Sequence, residues 1–322
     1  MKLLTAVLPL LLGFLLDALL GDPYSMPHPV RLIGKLIAAL EAFTRKHFRN
    51  LRIGGACLAL TVLLLSGGIP LGILLLCYRL HPIAGIVAES IFCYYLLAAR
   101  CLRDESMKVY AAAKTHDTEA ARQAVSMIVG RDTAVLDESG ILRAAVETVA
   151  ENTSDGVTAP LFYMAFGGAV LGFVYKAANT MDSMLGYKNE KYADLGFAAA
   201  RTDDILNFLP SRLTGLLMCI AASLVGQDGK NALRIWRRDR RKHASPNSAQ
   251  TEAACAGALH IRLAGDAVYG GILHKKPYIG DDDRPIRPGD IPAANRLMYA
   301  ASIMMLLLSC TVRLLLYFFV CY

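Results

Sequence analysis

Glu147, Glu151 and Asp155 fall at i, i+4 and i+8 in a stretch where Asp137 can N-cap a helix running to about Asn152, which stacks three carboxylates near one helix face. Like charges at that spacing repel unless water or a cation compensates them, and oxygen-only ligands suit Mg²⁺. The competing reading is a solvated face with Arg143 as the partner of Glu147. A second group lies between Tyr175 and Lys188, where Lys176, Asn179 and Asp182 are mixed with apolar residues at the end of a membrane-length run. Polar groups there are costly in lipid unless they line a cavity; an interfacial helix end with a snorkelling lysine is the alternative. Arg201, Asp203, Asp204 and Asn207 follow, with Asp203 and Asp204 offering paired anions beside lipid.

A third group is Lys242-His243-Ala244-Ser245-Pro246-Asn247-Ser248. Ser245 can cap a helix and Pro246 suits its first position. Free N–H groups beside Lys242 and His243 then make either an anion site or an ordinary capped helix on the membrane surface. His28 and Arg31 belong to a rigid loop, Asp22-Pro23 and Met26-Pro27-His28-Pro29-Val30-Arg31, where a histidine is more often structural than catalytic. The sequence holds no Walker A loop, kinase glycine loop, GxSxG or HExxH.

The elements that must position these groups are membrane helices. Of the 322 residues 55% are hydrophobic and 19% charged, and the mean hydropathy is +0.39, too much apolar surface for one soluble core. Apolar runs mark candidate membrane segments at 3–20, 53–77, 83–99, 157–175, 207–226 and 297–320. Asp17, Glu89 and Arg313 stand inside three of these runs, and the apolar part of 207–226 is short for a span. The first run is a helix of the mature protein rather than a signal peptide, since Lys2 is its only early cation and no small-residue cleavage pattern follows Leu20.

Positive loops stay cytoplasmic, so Arg31, Lys35, Arg45, Lys46, Arg49 and Arg52 put the first connection inside and 100–156 is a cytoplasmic helical stretch. Lys230, Arg234, Arg237, Arg238, Arg240, Arg241 and Lys242 give the strongest inside signal. By parity, 157–175 and 207–226 either both span or both dip in and return. The basic run has only Trp236 interleaved, which fits anionic lipid better than nucleic acid. Asp117 can cap a helix closed by Gly130, Lys275 to Pro292 reads as loop, and no alternating strand pattern, repeat or second domain is visible. The eight cysteines form no CxxC pair and read as small buried hydrophobes. The expected fold is all-α: a polytopic integral membrane protein, one membrane-embedded domain over 1–322 with cytoplasmic helical segments.

Taken together these segments resemble the adenosylcobinamide-phosphate synthase family (CbiB/CobD type), nearly end to end. The blocks that carry the resemblance are Leu16-Asp17, Gly21-Asp22-Pro23 and His28-Pro29-Val30-Arg31; Gly130-Arg131-Asp132-Thr133; Val146-Glu147, Glu151-Asn152 and Asp155-Gly156; Pro160-Leu161-Phe162; Tyr175-Lys176, Asn179-Thr180 and Asp182-Ser183-Met184; Ala200-Arg201, Asp203-Asp204 and Asn207; Pro210 and Arg212-Leu213; and His243, Ser245-Pro246-Asn247 and Glu252-Ala253. Ala249 departs from an expected glycine, and Ala264 and Asp266 replace the Gly-Pro of a Leu-Gly-Gly-Pro pattern.

The resemblance implies an ATP- and Mg²⁺-dependent ligase that joins the propionate carboxylate of adenosylcobyric acid to aminopropanol or its phosphate. A carboxylate resists amine attack until its oxygen becomes a good leaving group, so such a reaction first phosphorylates it. In this reading Glu147, Glu151 and Asp155 hold the metal. Arg131, Arg201, Lys242, His243, Ser245, Asn247, His28 and Arg31 bind phosphate or substrate, and Asp203, Asp204, Lys176, Asp182 and Asn179 are catalytic, with Asp203 or Asp204 as base for the ammonium. The expected setting is the cytoplasmic (inner) membrane, with the lipid, the corrinoid, the amino-alcohol phosphate and other late corrinoid enzymes as partners and no nucleic acid. A transporter or permease is the alternative, since Asp17, Glu89 and Arg313 can also mark a substrate pathway; a scaffold for corrinoid enzymes is the third reading.

Overall fold

The computed structural model describes residues 2–22, 28–187 and 189–321. Pro23, Met26, Pro27 and Lys188, named above, lie outside the described residues. The helices in chain order are α1 (Lys2–Leu20), α2 (Pro29–His47), α3 (Leu51–Leu80), α4 (Pro82–Leu96), α5 (Ala99–Lys114), α6 (Thr118–Ser126), α7 (Glu138–Asn152), a π-helical turn (Thr153–Thr158), α8 (Ala159–Leu185), α9 (Phe197–Leu206), α10 (Phe208–Leu224), α11 (Gly229–Asp239), α12 (Ser248–Leu259) and α13 (Asp290–Cys321). Between α12 and α13 run β1 (Leu263–Ala264), β2 (Ala267–Tyr269), β3 (Ile272–His274) and β4 (Tyr278–Ile279).

Four helical stretches are long and apolar enough to cross a bilayer: Leu51–Leu80, Pro82–Lys114, Glu138–Leu185 and Asp290–Phe319. A fifth is added if α9 and α10 count as one broken span; α10 alone has 17 residues, short of the roughly 20 a span requires. Leu60, Leu64, Leu75, Leu76, Leu307 and Leu315 are exposed along α3 and α13, a surface that suits lipid and not water. The protein is a multi-pass, helical membrane protein.

The chain folds as two compact units. Unit 1 comprises residues 1–98, 159–207 and 306–322. His28 and His81 start helices in the same way: each accepts a hydrogen bond through Nδ1 from the amide two residues on, at 3.2 Å, and each precedes a proline, which fits the first helical position. The central helix α8 is broken at Gly167 (φ −136°, ψ 23°) and Gly168 (φ 61°, ψ −157°). A break inside a span frees backbone groups that lipid cannot satisfy, and the polar groups of the apolar runs gather there. A Cβ on Gly168 would lie 2.3 Å from Glu89 Oε1. Arg313 Nη1 stands 3.4 Å from Glu89 Oε1, and the Tyr78 hydroxyl donates to Glu89 Oε2 at 2.6 Å. Glu89 and Arg313 therefore compensate each other beside the broken helix.

Unit 2 comprises residues 99–158 and 208–305. α12 is its centre: every residue from Ser248 to Leu259 is buried, enclosed by α7, α10, α11 and the strands β1 and β4. Asp117 caps α6 through Ala120 N (3.0 Å) and Asp137 caps α7 through Gly140 N (2.7 Å). Three expectations are corrected. α6 ends at Ser126, because the amides of Met127 and Ile128 turn back to carbonyls three residues earlier, so Gly130 does not close it. α8 continues past Tyr175 to Leu185, so Lys176, Asn179 and Asp182 lie on a helix and not beyond its end. The stretch expected to lack strands forms two small antiparallel ladders, β1 with β4 and β2 with β3. Gly270-Gly271, at φ 56° and 79°, supplies the two-residue hairpin turn that only glycine adopts freely.

The break in α8 yields a prediction. Gly168 occupies a region closed to residues with a side chain, a strain of about 1–3 kcal/mol, and its added methyl would also meet Glu89. Gly168→Ala is therefore expected to lower the unfolding temperature of the detergent-solubilised protein more than Gly167→Ala, whose added methyl would meet Leu171 Cγ as closely but whose φ of −136° is open to any residue. Equal effects of the two substitutions would contradict a specified break.

Candidate functional site

Most of the charged groups singled out in the sequence that unit 2 contains converge on the N-terminal half of α12. α7 brings Glu147 and Glu151, the loop before it brings Arg131, and the hairpin segment brings Ala264 and Lys276. Glu147 is buried, and its carboxylate is fully engaged: Arg131 Nη2 donates to Oε2 and the Ala264 amide donates to Oε1 at 2.6 Å. Arg131, not Arg143, is its partner; Arg143 Nη2 lies 3.4 Å from Ser139 Oγ. Ala264 holds φ at 58°, the left-handed region that costs a residue with a Cβ roughly 1–2 kcal/mol. The departure from a glycine pattern at this position is thus carried as strain in the residue whose amide contacts Glu147.

Glu151 accepts a hydrogen bond from Ser248 Oγ at 2.7 Å. The π-helical turn begins two residues later, at Thr153, and contains Asp155. A further carboxylate in the field of Glu147 and Glu151 is Glu252 on α12. Its Oε2 is buried without a hydrogen-bond partner among the described residues. Burial first, then Glu151 and Glu147, push its carboxyl well above the ordinary range, with Arg131 and Lys276 offsetting part of the effect. The sequence signal was a lone acid in an otherwise small and uncharged helix, Ser248 to Leu259; such a charge needs compensation once buried.

The Ser-Pro-Asn segment forms a chain of turns. His243 Nδ1 accepts from the Ser245 amide at 3.0 Å, and Ser245 Oγ accepts from the Asn247 amide at 3.2 Å. The cap of α12 is Asn247, not Ser245, and its side chain makes no capping bond. Its Oδ1 instead accepts from Ser211 Oγ (3.3 Å) and Arg212 Nη1 (3.2 Å). Arg212 is thus the cation against Asn247. Lys242 is held elsewhere, with Nζ 2.7 Å from Asp239 Oδ1. Asp239 is buried, which alone raises its pKa, but Arg238, Lys242 and the Gly280 amide outweigh burial and bring it down to about 2. Burial holds the His243 imidazole below its ordinary value; Glu151 pulls the other way and Lys276 adds to the lowering.

Glu147 has both oxygens engaged, and among the described residues no group of three or more His, Cys, Asp or Glu side chains is arranged to hold a metal ion.

Unit 1 holds the remaining residues. Asp203 is buried and accepts from Asn207 Nδ2 through both oxygens (3.0 and 3.1 Å), while Asn179 Nδ2 lies 3.4 Å from Oδ1. Asn207 Oδ1 accepts from the Tyr175 hydroxyl at 2.8 Å, and Tyr175 stacks on Tyr163. Asp204 faces Arg201 at 3.6 Å. Lys176 and Asp182 lie on α8 with Asn179. His28 caps α2 and stands 3.5 Å from Asp22, and Arg31 is exposed on the first turn of α2.

Compared with known families, residues 10–298 match the one described as CobD/Cbib protein. A relative in Geobacter metallireducens named cobalamin biosynthesis protein CobD is 50% identical over 302 residues, 93% of this chain and 94% of its own length. One of the same name in Clostridium perfringens is 44% identical over 95% of this chain and 98% of its own. The cobalamin biosynthesis protein CbiB of Salmonella typhimurium is 45% identical over 94% and 96%. No solved structure matches. With a family match and near-full-length identity of this order, the chain belongs to the CobD/CbiB family.

Proposed function

We propose that this chain acts in cobalamin biosynthesis as an ATP-dependent amide ligase of the cytoplasmic membrane. It joins the propionate carboxylate of adenosylcobyric acid to (R)-1-aminopropan-2-ol or its O-phosphate through an acyl phosphate. Beyond family membership, the observation that carries the reading is the mixed-charge cluster of unit 2, in which Arg131, Lys276 and His243 share one field with Glu147, Glu151 and Glu252. Forming an acyl phosphate and displacing phosphate with an amine requires cations for the anionic partners and a carboxylate for the ammonium.

Bound with ATP, Mg²⁺ would neutralise part of the phosphate charge. Arg131 is oriented by Glu147, which in turn is fixed by the Ala264 amide. Arg212 and Asn247, joined at 3.2 Å, are the groups of the Ser-Pro-Asn segment that bind phosphate; Lys242 is tied to Asp239. In unit 1 the Tyr175–Asn207–Asp203–Asn179 chain orients Asp203. Lys176 and Arg201 bind corrin carboxylate or phosphate, and Asp182 stays a catalytic candidate on α8 beside Asn179. A transporter gains support from Glu89 and Arg313 beside a broken helix, but their mutual pairing accounts for both.

Purified protein given adenosylcobyric acid, Mg-ATP and aminopropanol phosphate is expected to release an amide detectable by mass and to consume ATP in proportion. Flux of a corrinoid into vesicles without ATP turnover would favour the transporter. A second outcome concerns Glu147. Glu147→Gln leaves the Arg131 guanidinium without its carboxylate in a buried site and is expected to cost about 3 kcal/mol of stability, read as a lowered thermal midpoint. A raised midpoint is what a merely repulsive carboxylate stripe predicts, and it would contradict the pairing.

A further inference from the structure

Unit 2 contains an imbalance that the ligase reading does not by itself resolve. Glu147 is neutralised by Arg131 and bonded to an amide. Glu151 has a hydroxyl donor on one oxygen. Glu252 is 4% exposed and presents Oε2 to no donor among the described residues. Leaving a buried carboxylate oxygen unbonded costs more than the bond it lacks, so such an atom points to a donor that arrives from outside. The charged groups acting on Glu252 are Glu151 and Glu147 from α7, Arg131 from the loop before it and Lys276 after β3, with the Cys255 thiol acted on by Glu252 within α12. Ionised, Glu252 would be a third carboxylate against Arg131 and Lys276 alone, which together with its burial favours its protonated form until a cation arrives. The missing partner is positive and carries N–H donors.

A primary ammonium fits this description. It supplies one charge and three donors in a compact head, and two carboxylates receive it without the oxygen cage a metal demands. We propose that Glu151 and Glu252 bind the ammonium of the amino-alcohol substrate and that Glu252 is the catalytic residue that takes its proton. This rests on the ligase reading above and reassigns the base from Asp203 or Asp204. Asp203 already has both oxygens bonded to Asn207, and Asp204 faces Arg201.

The step balances. R–NH₃⁺ gives one proton to the Glu252 carboxylate, leaving R–NH₂ and a carboxylic acid. The nitrogen lone pair attacks the acyl-phosphate carbonyl carbon, the C–N bond forms, and the C–O bond to phosphate breaks with its electron pair on the phosphate. The second proton shed by nitrogen leaves with that phosphate. The surroundings that raise the proton affinity of Glu252 bring it toward that of an amine, which suits the transfer.

Hydroxylamine separates this role from a structural one, since it is largely unprotonated at neutral pH and needs no base to attack an acyl phosphate. The wild-type protein is assayed first for ATP-dependent amide; if none forms, the ligase reading itself fails. Given wild-type activity, Glu252→Gln is expected to lower amide formation with aminopropanol phosphate by about 10²-fold while keeping ATP-dependent hydroxamate. Its residual amide rate should climb about ten-fold per pH unit as the free-amine fraction grows. Amide and hydroxamate falling together, or amide unchanged, overturns the proposal. Should Glu252→Gln fail to accumulate in membranes, Glu252→Asp carries the same comparison: a larger loss of amide than of hydroxamate supports the role, and equal losses overturn it.

Discussion

Burying a carboxylate between helices demands a partner for it, and that demand organises both units. Asp239 is held by Arg238, Lys242 and the Gly280 amide, which ties α11 to the strand β4. Asp290 is held by both Arg284 nitrogens and the Arg287 amide, which fixes the start of α13. Glu147 gathers Arg131 and Ala264 from segments more than a hundred residues apart. In unit 1, Glu89 takes Tyr78 and Arg313, and Asp203 takes Asn207 and Asn179. Each pair contributes little net stability relative to an apolar substitute, but losing one partner is costly. Such sites therefore specify which segments meet. Glu252 presents a buried oxygen to no hydrogen-bond partner among the described residues, and in unit 2 it does so beside Glu151 and Glu147.

The loops that satisfy these charges are short and locally determined. Asp281, Asp282 and Asp283 pair in turn with Arg234 and Arg238, with Arg262, and with His260, so a proline-rich segment without regular structure still has a fixed course. Much of the basic run on α11 is thereby committed to acids of the same unit, which reduces the charge it presents to lipid headgroups while leaving Arg237 and Arg241 exposed.

The long membrane helices were legible because hydropathy and length are properties of contiguous sequence, whereas the first expected run, 3–20, counts only as a shorter apolar helix, Ala6–Leu20; Asp117 and Asp137 announced their helices because a cap acts over three residues. What the sequence concealed depends on distant partners. Nothing local distinguishes Arg131 from Arg143 as the companion of Glu147; Arg143 even has the favourable spacing on the same helix. The π-helical turn that contains Asp155 was not legible either, since no residue type signals one reliably. The hairpin was readable from Gly270-Gly271 between Ala267-Val268-Tyr269 and Ile272-Leu273-His274, yet its strands are too short to show alternation. The cap shifted by two residues because Asn247, rather than Ser245, occupies the last non-helical position.

In the proposed reaction a carboxylate is activated by phosphorylation and then captured by an amine. Label in the carboxylate oxygens of the corrinoid substrate tests it directly. With ¹⁸O placed in the reacting propionate, an acyl phosphate transfers one ¹⁸O atom to the orthophosphate released per amide formed, and mass analysis of that phosphate should find it. Amide formed with no ¹⁸O in phosphate, or with ¹⁸O delivered to AMP, would contradict the account.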